Sequence, residues 1–246
     1  MSTQSMAPLA GQATLIGSWH ALAQISAGAK LAHTKAAVAA VFPSWAPLNN
    51  AILLDQTDPP ASVGQLAELY TRAGVESWAL WLPSPATSLD EPSHLDELDG
   101  MKPETATLVM RRPLPQLPQA LRGHAGVVRT SVAAAARASD EPVPADDLDE
   151  PDPSCRIDGW VMVDGSSAVA GAWSYLHGTD CGIYAVGTVP EWRRRGLARA
   201  LMLHVLSDAY RRGARTATLQ STPMGQSLYT SLGFSVVGRY EEWVPA

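Results

Sequence analysis

"VPEWRRRGLARALM", residues 189–202, sets three consecutive arginines against a glycine and then runs into an apolar repeat. Leu197, Leu201, Val205 and Ala209 fall along one line, with Ala198, Met202 and Leu206 beside it, so the spacing predicts a helix to about Arg212, stopped by Gly213. Ahead of it, residues 156–189 read as three strands in a meander, with turns at "VDGSS" and "HGTD". The arginines therefore stand where a strand ends and a helix begins. A helix start leaves backbone N–H groups unpaired and carries partial positive charge, Gly196 lets a ligand approach closely, and Ala198 adds little bulk. Such a turn is a seat for a phosphate, to which arginine side chains can add charge-assisted bonds. A solvated basic patch is the plain alternative. A Walker loop is excluded, because its Gly-Lys-Ser/Thr spacing is missing.

The bulk numbers narrow the classes. Of 246 residues, 46% are hydrophobic and 17% charged, as in a folded globular protein. The net charge of −6 is unevenly placed: residues 140–153, "DEPVPADDLDEPDP", hold seven of the 24 acids and no base. The remaining 17 acids nearly balance the 18 lysines and arginines, so no overall field draws in a nucleic acid. No run reaches the 18 or so apolar residues of a membrane span, and the first residues lack a signal-peptide pattern. Cys155 and Cys181 are too few for a disulfide framework or a multi-cysteine metal site, and a cytoplasmic protein is expected.

Residues 1–17 read as a flexible tail and the alanine-rich run from Ser18 to about Val41 as helix. Residues 49–55 read as a strand, 59–74 as a helix, and 75–83 and 105–114 as strands, an α/β or α+β arrangement. Proline-rich residues 113–126 carry the chain into a second half from about residue 121, where "VVRTSV" (127–132) starts a new sheet. After the arginine-led helix come a strand at 216–222, a short helix at 223–232 closed by Gly233, and a strand at 234–243.

This second half resembles the GNAT superfamily of N-acetyltransferases. The family motif of Arg or Gln, two residues, Gly, one residue, then Gly or Ala is met by Arg193 to Ala198, preceded by Pro190 and Glu191. Its downstream "Y-x-x-x-GF" block is met by "LYTSLGF" (228–234), and the likeness spans roughly residues 157–243. The resemblance implies an α/β (α+β) fold with a mixed, mostly antiparallel sheet flanked by helices. Residues 18–120 have the length for a second, degenerate unit in tandem with 121–246. It implies that acetyl-coenzyme A is the cosubstrate, with no metal. Backbone amides of Arg194, Arg195, Gly196, Leu197, Ala198 and Arg199 would cradle its diphosphate, and Val186, Gly187 and Thr188 would pair with the pantetheine arm. The family's strand is bulged and splayed, and Gly187 suits such a kink. Tyr229 stands where the family often places its general acid.

At Thr222 this chain departs from a common family asparagine; Ser221 or Thr222 would replace its hydrogen bonding or cap the helix ahead of Pro223. Asp180, His177, Glu241, Glu242 and the terminal carboxylate are all candidates for a general base, and none stands out. His204, mid-helix, reads as structural. In the first half Trp45, Asn49, Trp78 and Trp81 belong either to the core or to an acceptor pocket that supplies a wall the second half lacks. The implied reaction is acetyl transfer to a primary amine of a small molecule, an aminoglycoside, a peptide N-terminus or a protein lysine. A non-catalytic acyl-coenzyme A sensor is the competing reading. Neither nucleic acid nor membrane is an expected partner, and a homodimer stays open.

Overall fold

The structure is a computed structural model that describes residues 8–85, 98, 100–115, 126–140 and 155–246. Most of the acidic run at 140–153 and of the expected connection at 113–126 therefore lies outside the described residues.

The chain starts earlier, and differently, than its composition suggests. Helix α1 spans Gln12–Gln24, so its first turns occupy what reads as tail, and Leu15, Trp19 and Leu22 are buried beneath it. The expected helix to Val41 ends there. Lys30–His33 and Ala37–Val41 form an antiparallel hairpin, β1 and β2. Alanine favours helix in isolation, but all five residues of "AVAAV" are buried. Ala37, Ala39 and Val41 pack in one apolar cluster and Ala40 in another, on the opposite side of the strand. Small side chains suit a strand covered on both faces, and that tertiary demand overrides propensity.

Strand β3 (Asn50–Leu53) leads to helix α2 (Pro59–Arg72), then β4 (Ala79–Pro85) and the long β5 (Met101–Pro113). The second half contributes β6 (Val127–Thr130), the short helix α3 (Val132–Ala138), and the meander β7 (Ile157–Asp164), β8 (Ser167–His177) and β9 (Asp180–Thr188). Helix α4 (Leu197–Arg211), β10 (Thr216–Ser221), α5 (Gln226–Ser231) and β11 (Ser235–Pro245) follow. β6 opens no new sheet. The eleven strands among the described residues form one, in the order β1-β2-β3-β4-β11-β5-β10-β9-β8-β7-β6.

That order is close to a palindrome. β3 and β4 pair in parallel, as do β9 and β10, with α2 and α4 as the respective crossovers. The last strand of each half is inserted into the other: β11 lies between β4 and β5, and β5 lies between β11 and β10. Two units of like topology have thus exchanged their final strands. Helices α1 and α3 cover one face, through Trp19, Leu22, Val132 and Ala136. Helices α4 and α5 cover the other over the second half, through Leu201, Val205 and Tyr229, and α2 does so over the first half, through Leu66 and Tyr70.

Helix α3, which the sequence reading omits, sits unusually low. A Cβ at Gly159, Gly171 or Gly187 would fall 2.2, 1.9 and 1.9 Å from the carbonyl oxygens of Ser131, Ala135 and Ser139. Glycines on β7, β8 and β9 make a floor that only a backbone can touch. Gly187 is therefore needed for helix docking, and the expected kink lies elsewhere on its strand.

Candidate active site

β9 and β10 are held together only over Asp180–Gly182 and Thr216–Thr218. Beyond Gly182 they part, while β9 stays paired to β8 as far as Thr188 and β10 to β5 as far as Ser221. Each strand thus turns an unpaired main-chain edge toward the other. The β8–β9 register jumps between the Tyr184–Trp173 and Gly187–Gly171 pairs, which puts the bulge at Ala185 and Val186. Ala185 has φ 48°, and the left-handed region costs a non-glycine residue about 1–2 kcal/mol. Val186, Gly187 and Thr188 lie past the parting, on the open edge where pantetheine amides would need partners.

The chain then makes a 3-10 turn over Pro190–Trp192, is extended at Arg193, and turns left-handed at Arg194 (φ 63°) and Gly196 (φ 78°) before α4 starts. A left-handed residue leading straight into a right-handed helix, as Gly196 leads into α4, directs neighbouring N–H groups to one side as an anion nest. No side chain caps that helix. A Cβ on Gly196 would meet nothing within 4 Å, so conformation alone requires the glycine, and the space above the turn is open.

The arginine side chains do less ligand-facing work than the sequence suggests. Arg193 donates to the Thr188 carbonyl and the Asp140 carboxylate, both at 3.0 Å. Arg195 lies 4.6 Å from the Trp192 ring centre and donates to the Glu191 carbonyl. Arg199 reaches the Ser231 hydroxyl at 2.9 Å and so ties α4 to α5. These three brace the turn. Among the described residues no hydrogen bond or ion pair engages the exposed Arg194 side chain, which leaves it available to an anion. Asp140, with φ 66°, follows α3 directly; together with Ala185 and Arg194 it completes the described non-glycine residues of positive φ. All three lie at this site, which is where backbone strain tends to be kept.

Tyr229 is on α5, 7% exposed, with its ring edge-on to Phe234 at 6.1 Å between centres. A Cβ on Gly225 would lie 3.0 Å from the Tyr229 ring and 3.2 Å from the Ser221 hydroxyl, so the tyrosine stands beside the last residue of β10, at the mouth of the splay. Burial pushes its phenol up to about 12. Its proton is retained at any physiological pH, so the group is a hydrogen-bond donor. The expected capping role is not seen: Ser221 donates to the Thr222 carbonyl, α5 starts only at Gln226, and no side chain caps it.

The base candidates separate by position. Asp180, at the far end of β9, accepts from Thr14, Thr216 and Thr218 at 2.6–2.7 Å and pins α1 to the parallel pair. Glu241 is held by Arg239 at 2.6 Å and by the Ser84 hydroxyl. His177 pairs with Asp180 across the exposed β8–β9 turn, and His204 is half-buried against Trp160 with its pKa lowered, first by desolvation. Glu242 is different: it is half-buried, accepts from the Thr107 hydroxyl, and has its pKa raised by burial.

Glu242 also lines a cavity of about 440 Å³ where β3 and β4 begin and β11 ends, together with Asn49, Asn50, Glu76, Trp78, Lys102 and Glu104. Of the four first-half residues considered for an acceptor pocket, Asn49 and Trp78 line this cavity. Trp45 is buried in the core, and Trp81 packs between Trp19 and Tyr240. Glu76, Lys102 and Glu104 carry no local signal, because strand exchange alone brings them beside β11. Among the described residues no His, Cys, Asp and Glu side chains are grouped as metal ligands, and no helix is long and apolar enough to cross a membrane.

A splayed parallel pair with a bulge, an open left-handed turn and a tyrosine at its mouth thus meet at one site. Residues 156–236, in the second half of the chain, match the family model described as the acetyltransferase (GNAT) domain. Nearly the whole chain shares its fold with solved structures. A GCN5-related N-acetyltransferase from Kribbella flavida superposes with a TM-score of 0.67 at 16% identity, covering 95% of each chain. A functionally unknown conserved protein from Staphylococcus epidermidis gives 0.61 at 12% identity, covering 90% of this chain and 96% of its own. A GCN5-related N-acetyltransferase from Sphaerobacter thermophilus gives 0.53 at 20%, covering 85% and 80%. No curated protein matches.

Proposed function

We propose that this protein transfers the acetyl group of acetyl-coenzyme A to a primary amine by direct attack. The observation that carries the reading is the parting of β9 and β10 into a turn whose main-chain donors stay unpaired. N–H groups from Arg194 to Arg199 hold the diphosphate, and the Arg194 side chain adds charge. The open edge at Val186–Thr188 takes the pantetheine amides. The bulge at Ala185–Val186 presents a main-chain N–H to the carbonyl oxygen as it becomes an oxyanion; one such donor is worth about 3 kcal/mol in the transition state.

The amine must shed a proton before attack, since an alkylammonium has a pKa of about 10.4. Its nitrogen then bonds to the carbonyl carbon, the C–S bond breaks, and the sulfur leaves with the electron pair. Tyr229 donates to that sulfur. With its phenol near 12, against about 8.5 for a simple thiol, it stabilises the leaving thiolate chiefly by hydrogen bonding. Holding both reactants in line supplies much of the acceleration.

Calorimetry with acetyl-coenzyme A, followed by free-thiol release with a panel of primary amines, tests the reading. Saturable heat and amine-dependent thiol are expected. Heat without turnover by any amine would favour a sensor, and no heat would remove the acyltransferase reading.

A further inference from the structure

We infer that Glu242 is the group that takes the proton from the attacking amine, and that the cavity it lines admits an alkylamine bearing a second positive charge. This rests on the acetyltransferase reading above and names its missing base and acceptor class.

Position comes first. The Glu242 carboxyl is held by Thr107, which is adjacent on β5 to Leu108, and Leu108 pairs with Ser221 where β10 ends. With strands about 4.8 Å apart, the carboxylate lies roughly 10 Å from the splay, within reach of the attacking nitrogen through one or two waters. Of the other side-chain carboxylates considered above, Asp180 and Glu241 are committed to structural partners.

The surroundings supply the second argument. Tyr240, on the same side of β11 two residues earlier, is fully buried, and its hydroxyl has no partner among the described residues. The Trp81 indole, in register with Glu242, likewise makes no bond of proper geometry, though it lies near enough to favour the ionised carboxylate slightly. Buried polar groups are nearly always paired, so an indole N–H left without a well-formed bond beside a half-buried carboxylate is the mark of a site that finishes its bonding with water or ligand. The cavity wall sets Glu76, Glu104 and Glu242 against Lys102 alone, an acidic excess that suits a cationic chain. Beside Glu242 stand the Thr107 hydroxyl, the Trp81 indole and the Glu104 carboxylate, while Glu76 and Lys102 line the same cavity. Burial and the Glu104 charge both favour its neutral form, while Thr107 opposes them. The carboxylate is thus a stronger base than an exposed one.

In the step, the ammonium gives one proton to Glu242 through water and Glu242 passes it to solvent. The freed nitrogen attacks. The second nitrogen proton passes by the same water route to Glu242, again ionised, as the adduct collapses and the C–S bond breaks, and the Tyr229 hydroxyl donates a hydrogen bond to the departing thiolate.

The test uses the full chain, acetyl-coenzyme A, and two acceptors: spermidine, and butylamine as its singly charged counterpart. Spermidine is expected to give at least tenfold higher kcat/KM than butylamine, and E104Q to shrink that ratio by raising the spermidine KM. With wild type, kcat rises with pH through the Glu242 titration. E242Q removes that limb and lowers kcat about 100-fold, while acetyl-coenzyme A affinity, measured on the same sample, stays unchanged and reports a folded chain. The inference fails if a chain that binds acetyl-coenzyme A treats both amines alike or acetylates neither. It also fails if E242Q keeps its kcat and pH profile. Loss of acetyl-coenzyme A binding by the wild type would overturn the parent reading instead.

Discussion

The two halves cross from sheet to helix at equivalent places and do so with opposite chemistry. From β9 to α4 the chain offers Arg193, Arg194, Arg195 and Gly196, turns left-handed twice, and leaves the helix start without a cap. From β3 to α2 it offers Leu54–Asp58 and two prolines. Asp58 caps α2 by accepting from the Ala61 N–H at 3.2 Å, and Pro59 and Pro60 have no N–H to give. Asp55 accepts from the Thr57 N–H and hydroxyl, and those bonds hold its pKa below the usual value. In one turn no side chain takes the N–H groups of the first helical turn, and in the other a carboxylate and two prolines account for them. A shared topology therefore does not confer a shared ligand. What decides is whether the donors of the first helical turn are already taken.

Breaking the contrast at its strongest point gives the largest expected effect. A carboxylate placed in the second-half turn by Ala198→Glu should meet the diphosphate head-on, and like-charge contact costs several kcal/mol. Acetyl-coenzyme A affinity should fall at least 100-fold by calorimetry, with the melting temperature little changed. Next, Tyr229→Phe should lower kcat about 100-fold and leave the acetyl-coenzyme A Kd alone, because a donor to the sulfur matters only as the bond breaks. Arg194→Ala removes the one arginine of the triplet with no bracing contact. On an exposed side chain this is worth about 1 kcal/mol, roughly a fivefold loss of affinity that shrinks as salt is added. Smallest of all, Asp58→Ala should cost about 1 kcal/mol of stability in denaturant titration and nothing in acetyl-coenzyme A affinity, since the first-half turn takes no part.

The second half was readable because its signals are local. The meander, the arginine-led helix and the tyrosine block each occupy a short window, and each element appears within a few residues of its expected place. The first half misleads where tertiary demand outweighs propensity, as at Ala37–Val41, where alanine sits in a doubly covered strand. Gly187 serves a purpose other than the kink expected of it. Its strand does kink, but at Ala185, and Gly187 is needed because α3 rests on it; Gly187→Ala should destabilise the fold by about 1–3 kcal/mol or more, measured by denaturant titration. The cavity was half visible, through Asn49 and Trp78, and Glu242 stood among several equal candidates. Only the insertion of β11 between β4 and β5 sets Glu242 near Glu76 and Glu104, and no local pattern encodes that exchange.

The contrast between the two turns can be settled directly by a crystal structure of the full chain with coenzyme A. The account predicts diphosphate oxygens within 2.7–3.2 Å of main-chain nitrogens between Arg194 and Arg199, with the β3–α2 turn empty. A diphosphate bound at Leu54–Asp58, or one held only by side chains away from α4, would contradict it.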